Sequence, residues 1–460
     1  MDWLSPGDNA WQMTAATFVG LMSVPGLVVL YGGVMQKRWS VNSMMMAFVA
    51  FAIVLIAWVL YGFKMGFGSP IHIFGASGGS FFGNFLGKPG PVLDSSDLLG
   101  QGTIPLLGDV GKLAFPQSTL VYFQFVFAAI TPILMLGSVL GRINFKAWIP
   151  FVLIWSSLIY TVNAFMIWGG GYFAQQGALD FSGGYVIHLA AGVSGFVAAA
   201  VIGPRLQRDR EVDAPNNLAM VAVGAGLLWL GWNGFNGGDP YLANADASAA
   251  VLNTNLCTAV AFLAWVGLDY ATGRKPSLIG SVNGMITGLV AITPGAGFVN
   301  GWGAIAIGLI AASIVYLALN YLSRVAPFRN VDDTLGVVYT HGFAGVGGGL
   351  LTGIFANSAM ASAFGVSANG LISGGGFELL KWQALTAAWV IAWCAVGTYI
   401  VLRLVGLFVS LRMDEKDMEE GDVAVHGHEV YPSDVPSLGF PSGIPASTPT
   451  PPPAPAQGTA

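Results

Sequence analysis

Apolar runs long enough to cross a bilayer recur along this chain from Asn9 to Val409. In hydrocarbon the backbone must satisfy its own hydrogen bonds, so a run of this length is read as a helix. The runs fall at Asn9–Gln36, Val41–Phe67, Thr119–Leu140, Ala147–Trp168, Gly183–Ile202 and Leu218–Phe235, then at Ala249–Tyr270, Leu278–Thr293, Trp302–Leu322, Gly336–Ile354 and Trp382–Val409. Eleven transmembrane helices make an all-α polytopic membrane protein. Only 9% of the 460 residues are charged and 54% are hydrophobic, which excludes a string of soluble domains. The 64 glycines suit helices whose backbones approach closely. Cys257 and Cys394 lie within apolar runs, so neither a disulfide framework nor a cysteine metal site is expected. Met1-Asp2-Trp3-Leu4 lacks a basic region, so no cleaved signal peptide is expected.

The basic residues set the orientation, because positive loops stay on the cytoplasmic side. Alternate loops carry Lys37 and Arg38, Arg142 and Lys146, Arg205, Arg208 and Arg210, Arg274 and Lys275, and Arg324 and Arg329; the tail carries Arg412 and Lys416. The opposite loops hold only Lys88, Lys112 and Lys381. An N-terminus outside and a C-terminus in the cytoplasm follow, with the protein integral to the plasma (inner) membrane.

Within this apolar setting one pattern occurs twice. Asp180 is followed by seven residues, His188, two residues and Ala191-Gly192; Asp333 is followed by seven residues, His341, two residues and Ala344-Gly345. Eight residues of helix rise about 12 Å, which places each Asp at a membrane edge and each His toward the midplane. Given the orientation, the two histidines approach from opposite faces, as an inverted five-plus-five repeat with one additional helix arranges them. Of five histidines, His72, His426 and His428 have no such setting. Ionisable groups inside a span are costly and mark function by default. Two bland readings stand beside that one: His188 and His341 as polar ties between helices, and Asp180 and Asp333 as helix caps. Capping is expected of both aspartates, with Asp180 adding to a potential that attracts cations.

No phosphate loop, zinc-protease motif or nucleophile elbow is present, so no enzyme, cofactor or nucleic-acid partner is expected. Two imidazoles without a third ligand make a poor metal site. They can instead hydrogen-bond a small neutral solute or pass a proton. Gly68–Gln117 and Ala356–Lys381 read as external loops, the first with a short helix. Residues 1–412 thus form the membrane domain. The acidic run Met413–Glu420 reads as solvated, Gly421–Tyr431 completes a cytoplasmic regulatory segment over 413–431, and Pro432–Ala460 reads as a disordered Pro-rich tail.

Several collinear motifs sharpen this. They are Phe123-Gln124-Phe125-Val126-Phe127-Ala128-Ala129-Ile130-Thr131, Trp168-Gly169-Gly170-Gly171 through Gly177-Ala178-Leu179-Asp180-Phe181, and Val186-Ile187-His188. Gly231-Trp232-Asn233-Gly234-Phe235-Asn236-Gly237-Gly238, Gly273-Arg274-Lys275-Pro276-Ser277 and Val331-Asp332-Asp333 through Thr340-His341-Gly342 complete the series. With them the chain resembles the ammonium transporter family (Amt/MEP/Rh) over nearly all of Asn9–Tyr431. The resemblance implies an outer aromatic cage for ammonium at Trp168 and Phe127, stacked gate rings at Phe127 and Phe235, and pore histidines at His188 and His341. It also implies a homotrimer and a PII-type cytoplasmic partner, with Gly421–Tyr431 docked beneath the pore. Two positions depart from the family pattern. Asp239 replaces a Ser that holds the recruited cation, and as an acid it either strengthens recruitment or pairs locally. Gly336 replaces an Asp, which leaves open whether the inner end of the tenth span is loosened. The expected mechanism is deprotonation near Phe127 and passage of neutral ammonia along the histidines; an ammonium sensor and a passive gas channel are the alternatives.

Overall fold

Short polar side chains open many of the helices by accepting N–H groups that a first turn leaves free. Ser5 accepts from Asp8 N (3.3 Å), Asn217 from Met220 N (3.1 Å), Asn244 from Ala247 N (3.1 Å), Ser277 from Gly280 N (3.0 Å) and Asn300 from Gly303 N (3.0 Å). The computed structural model describes residues 2–212, 214–360 and 368–431. Among them, nine helices are long and apolar enough to cross a membrane: Pro6–Val34, Lys37–Phe67, Gln117–Leu136, Phe145–Gln175, Gly184–Ile202, Leu218–Gly237, Ala245–Ala271, Gly301–Arg324 and Glu378–Val405. The shorter Leu278–Ile292, and Val338–Phe343 running on as Ala344–Phe355, stand where the two remaining spans are expected. The protein is a mostly helical, polytopic membrane protein.

Small residues bring the spans together. A Cβ on Gly224, Gly231 or Gly234 of the sixth span would come within 2.6, 2.3 and 2.5 Å of Leu30 N, Met22 Cγ and Ala15 O of the first span. The two backbones therefore touch along their length. The region Gly68–Gln117 holds the expected short helix, Ser95–Leu99, and also a two-stranded antiparallel sheet of Gln101–Thr103 with Lys112–Pro116. Strands of three and five residues, each preceded by Gly, carry too little alternation to be read from sequence. The end of the molecule bearing this sheet is called here the hairpin face, and the opposite end the tail face.

On the tail face, the fully buried Arg142 joins the ends of the two halves. Its Nε donates to Gly203 O (2.7 Å), beyond the fifth span, and its Nη1 to Thr334 Oγ1 (2.6 Å), before the tenth; Nη2 donates to Asp332 O. Arg205 grips Asp332 through Nε–Oδ2 (3.1 Å) and Nη2–Oδ1 (2.9 Å). Burial opposes ionisation of Asp332, but Arg205 and Arg142 outweigh it and hold the carboxyl below its usual range. The fifth span thus runs from the hairpin face to Arg205, and the tenth starts beside it and runs back: the halves are inverted.

The described part of the tail packs on this face. Asp422 accepts from Val41 N and Asn42 N, both 2.8 Å, capping helix Ser40–Ala57. His426 Nε2 meets Asn42 Oδ1 at 3.0 Å, and Lys37 pairs with Glu429 at 2.9 Å. The acidic run expected to be solvated is helical over Glu415–Glu420, and Met418 is fully buried beneath it. One apolar residue in a charged run is a weak sequence signal, yet it anchors this turn. The Pro-rich segment 432–460 lies outside the described residues.

Candidate functional site

The repeated sequence pattern builds the same local structure twice. Asp180 accepts from Gly183 N (3.1 Å), Tyr185 N (2.9 Å) and Val186 N (2.9 Å); Asp333 accepts from Val338 N (2.8 Å). Three residues after each Asp, Gly183 (φ 112°) and Gly336 (φ 69°) take the positive φ that favours glycine. Each then leads into a wide helical turn with i→i+5 bonds, Gly184–Leu189 and Val338–Phe343, that carries the histidine. The Gly336 carbonyl accepts from Tyr339 N and Thr340 N, both at 3.1 Å.

The glycine that closes each pattern fixes where the halves cross. A Cβ on Gly192 would lie 2.3 Å from Gly342 N, and one on Gly345 would lie 3.0 Å from Leu189 N. Gly342 and Leu189 each directly follow a histidine, so the two contacts are reciprocal. This crossing brings His188 and His341 together, Nδ1 to Nδ1 at 3.3 Å, with ring centroids 5.4 Å apart. One Nδ1 must donate while the other accepts, so two imidazolium rings do not fit this contact. His188 Nε2 is buried without a partner among the described residues and keeps its hydrogen-bonding capacity for something else.

Rings connect this pair to the hairpin face. Trp168 meets Phe127 edge-on (centroids 6.0 Å), Phe127 meets Phe235 (4.4 Å), and Phe235 stacks on His188 (5.7 Å). The two phenyl rings expected to stack are instead tilted by 52°. Phe123 packs edge-on against Phe127 at 4.8 Å and holds that tilt. A cavity of ≈ 250 Å³ on the hairpin face is lined by Trp168, Asp180, Phe181, Asp239 and Tyr241. A second, ≈ 390 Å³, is lined by Tyr31, Trp232, Asp333, Thr340 and His341. The ring series occupies the space between them. Phe127, Phe235 and His188 are fully buried.

The fold thus gathers Phe127, Trp168, Asp180, His188, Phe235, Asp239 and His341 from six separate segments. It also brings in residues not singled out beforehand. Trp232 stacks on His188 at 5.2 Å and is held by its Nε1 donating to Thr293 Oγ1 (2.9 Å). Its place one helical turn before Phe235 was the available signal. Ser182 donates to Phe235 O (2.7 Å), and nothing in its sequence context marks it. Trp168 Nε1 donates to Asp180 O (2.7 Å), tying the first ring of the series to the loop before the fifth span. No group of three or more metal-binding side chains occurs among the described residues.

Comparison with known proteins agrees with this architecture. The model of the Ammonium Transporter Family matches residues 10–431. Ammonium transporter 2 member 1 of Oryza sativa subsp. japonica is 49% identical over 437 residues, covering 94% of this chain and 88% of that protein. Ammonium transporter 2 of Arabidopsis thaliana is 49% identical over 435 residues, covering 94% and 89%. The crystal structure of Saccharomyces cerevisiae Mep2 superposes with a TM-score of 0.76 at 28% identity, over 90% of this chain and 88% of that one. Candida albicans Mep2 gives 0.77 at 28% identity, with the same coverage. The chain belongs to the ammonium transporter family, a family of membrane transporters.

Proposed function

We propose that this protein recruits ammonium in the hairpin-face cavity, deprotonates it, and conducts ammonia past Phe127 and Phe235 along His188 and His341. The observation that supports this most is the unbroken ring series Trp168–Phe127–Phe235–His188–His341 between two cavities. Trp168 and Phe127 offer aromatic faces worth ~0.5–2 kcal/mol to a cation, enough to concentrate it without trapping it. Asp180 and Asp239 add negative charge at the same mouth. Beyond the phenyl rings a bare cation would lose hydration worth far more than these contacts return. Ammonia, being neutral and small, escapes that penalty, and potassium, having no proton to lose, does not. On this reading the hairpin face is extracellular and the tail face, where the basic loops lie, is cytoplasmic. The functional unit is a homotrimer, and a PII-type protein plugs the tail-face mouth. Uptake of labelled methylammonium by reconstituted vesicles, with potassium excluded, tests the reading; vesicles that take up none would refute it.

Two variants probe its parts. Phe235→Ala opens the gate to water, so a potassium current is expected through the variant and none through wild type. An unchanged current would reduce Phe235 to a packing residue. The tail segment 413–431 acts through its hold on Val41 and Asn42 at the start of a pore-domain helix. Truncation after Arg412 is expected to lower uptake several-fold, whereas truncation after Tyr431 leaves it unchanged. Equal uptake by both would show that docking serves no transport role.

A further inference from the structure

Two carboxylates line the hairpin-face cavity, and the fold treats them oppositely. Asp180 stands before a helix start, where Gly183 N, Tyr185 N and Val186 N occupy both of its oxygens. Those three bonds take up most of the carboxylate's acceptor capacity, so a proton there competes with the cap. Asp239 stands two residues beyond Gly237, the last residue of the sixth span, beside the free carbonyl groups that form a helix's negative end. Its Oδ2 is buried and has no hydrogen-bond partner among the described residues.

Other polar groups lie within electrostatic reach. Tyr160, Tyr241 and Asp180 are the titratable side chains that act on Asp239. Gln124 Nε2 donates to Tyr241 Oη (2.5 Å), while Gln124 Oε1 and the Tyr160 hydroxyl are buried without a partner among the described residues. Buried polar atoms are nearly always paired, and an unpaired one costs ~1–3 kcal/mol unless a bound species satisfies it. A small cation that only donates hydrogen bonds suits Asp239 Oδ2, which belongs to a residue lining the cavity, and ammonium has four N–H donors. When two carboxylates in one site have such different surroundings, their acid–base roles separate.

We propose that Asp239 is the base that accepts the proton of ammonium in this chain, a role that rests on the deprotonation reading above. One N–H bond of ammonium breaks and its electron pair stays on nitrogen, giving ammonia; an O–H bond forms at Asp239 Oδ2. Cation and carboxylate become two neutral groups, which removes the attraction holding the substrate at the mouth. Ammonia moves past Phe127. The carboxylic acid gives its proton to water in the cavity and regains its charge for the next cation. Asp180 remains a charged cap throughout, contributing potential but no proton transfer.

The test uses the full chain in vesicles, as wild type, Asp239→Asn and Asp239→Glu, with initial rates of methylammonium uptake over concentration and external pH. Asp239→Asn is expected to lower the maximal rate by about a hundredfold, within the usual range for loss of a general base, with a smaller rise in KM from the lost negative charge. The fall in rate at acid pH should also disappear in that variant, and Asp239→Glu should restore it at a shifted pH. An unchanged maximal rate in Asp239→Asn, or a raised KM alone, overturns the proposal. Should that variant fail to fold, infrared difference spectra of wild type decide: a carboxylic-acid carbonyl band must appear when ammonium is added, and its absence overturns the assignment. Wild-type vesicles that take up no methylammonium would sink the transport reading itself; normal uptake by Asp239→Asn sinks the base alone.

Discussion

Asp180→Ala is expected to destabilise the protein by at least ~3 kcal/mol, and to abolish transport with it. Three buried N–H groups, at Gly183, Tyr185 and Val186, lose their acceptor at once. Each unsatisfied donor costs about 1–3 kcal/mol. The turn they open carries His188, so its loss also releases the ring series. Asp180→Asn keeps one acceptor oxygen of the same shape and is expected to retain more than half of the stability lost in the Ala variant. The thermal midpoint of the purified protein in detergent measures both. A midpoint for Asp180→Ala equal to that of wild type would show that the cap contributes nothing.

The second large effect falls on transport with the fold retained. His188→Ala and His341→Ala each remove one partner of the 3.3 Å imidazole contact and leave an apolar pocket beside Trp232 and Phe235. Ammonium uptake is expected to fall about tenfold or more, or to lose its preference over potassium, as befits loss of a group that passes protons or binds the solute. A purely structural tie between the fifth and tenth spans predicts a different outcome: a lower thermal midpoint with normal, selective uptake. Uptake and potassium exclusion measured on the same preparations separate the two. Normal selectivity in both variants would remove the histidines from the conduction path.

Much of this protein is legible in its sequence because the relevant physics is local. A span shows as an apolar run, since hydrocarbon rewards nothing else, and a helix start shows as Ser, Asn or Asp placed before it. Asp180 and Asp333 are caps on sequence grounds and accept N–H groups in the structure. The Asp-x7-His-x2-Ala-Gly repeat announced the inverted halves because duplication copies a local pattern twice. Other features are not local. That Gly192 meets Gly342 and Gly345 meets Leu189, and so that His188 and His341 touch across 153 residues, depends on which small residues face each other once the halves are inverted. The 52° tilt between Phe127 and Phe235 follows from Phe123 packing behind them, and the burial of Met418 from the surface it meets. Asp239 shows the division most sharply. Its sequence left open whether it attracts a cation or pairs locally, because a carboxylate's chemistry is set by the donors around it. Only the packed structure places it at a helix's negative end with one oxygen uncommitted, beside an Asp180 whose oxygens are both taken.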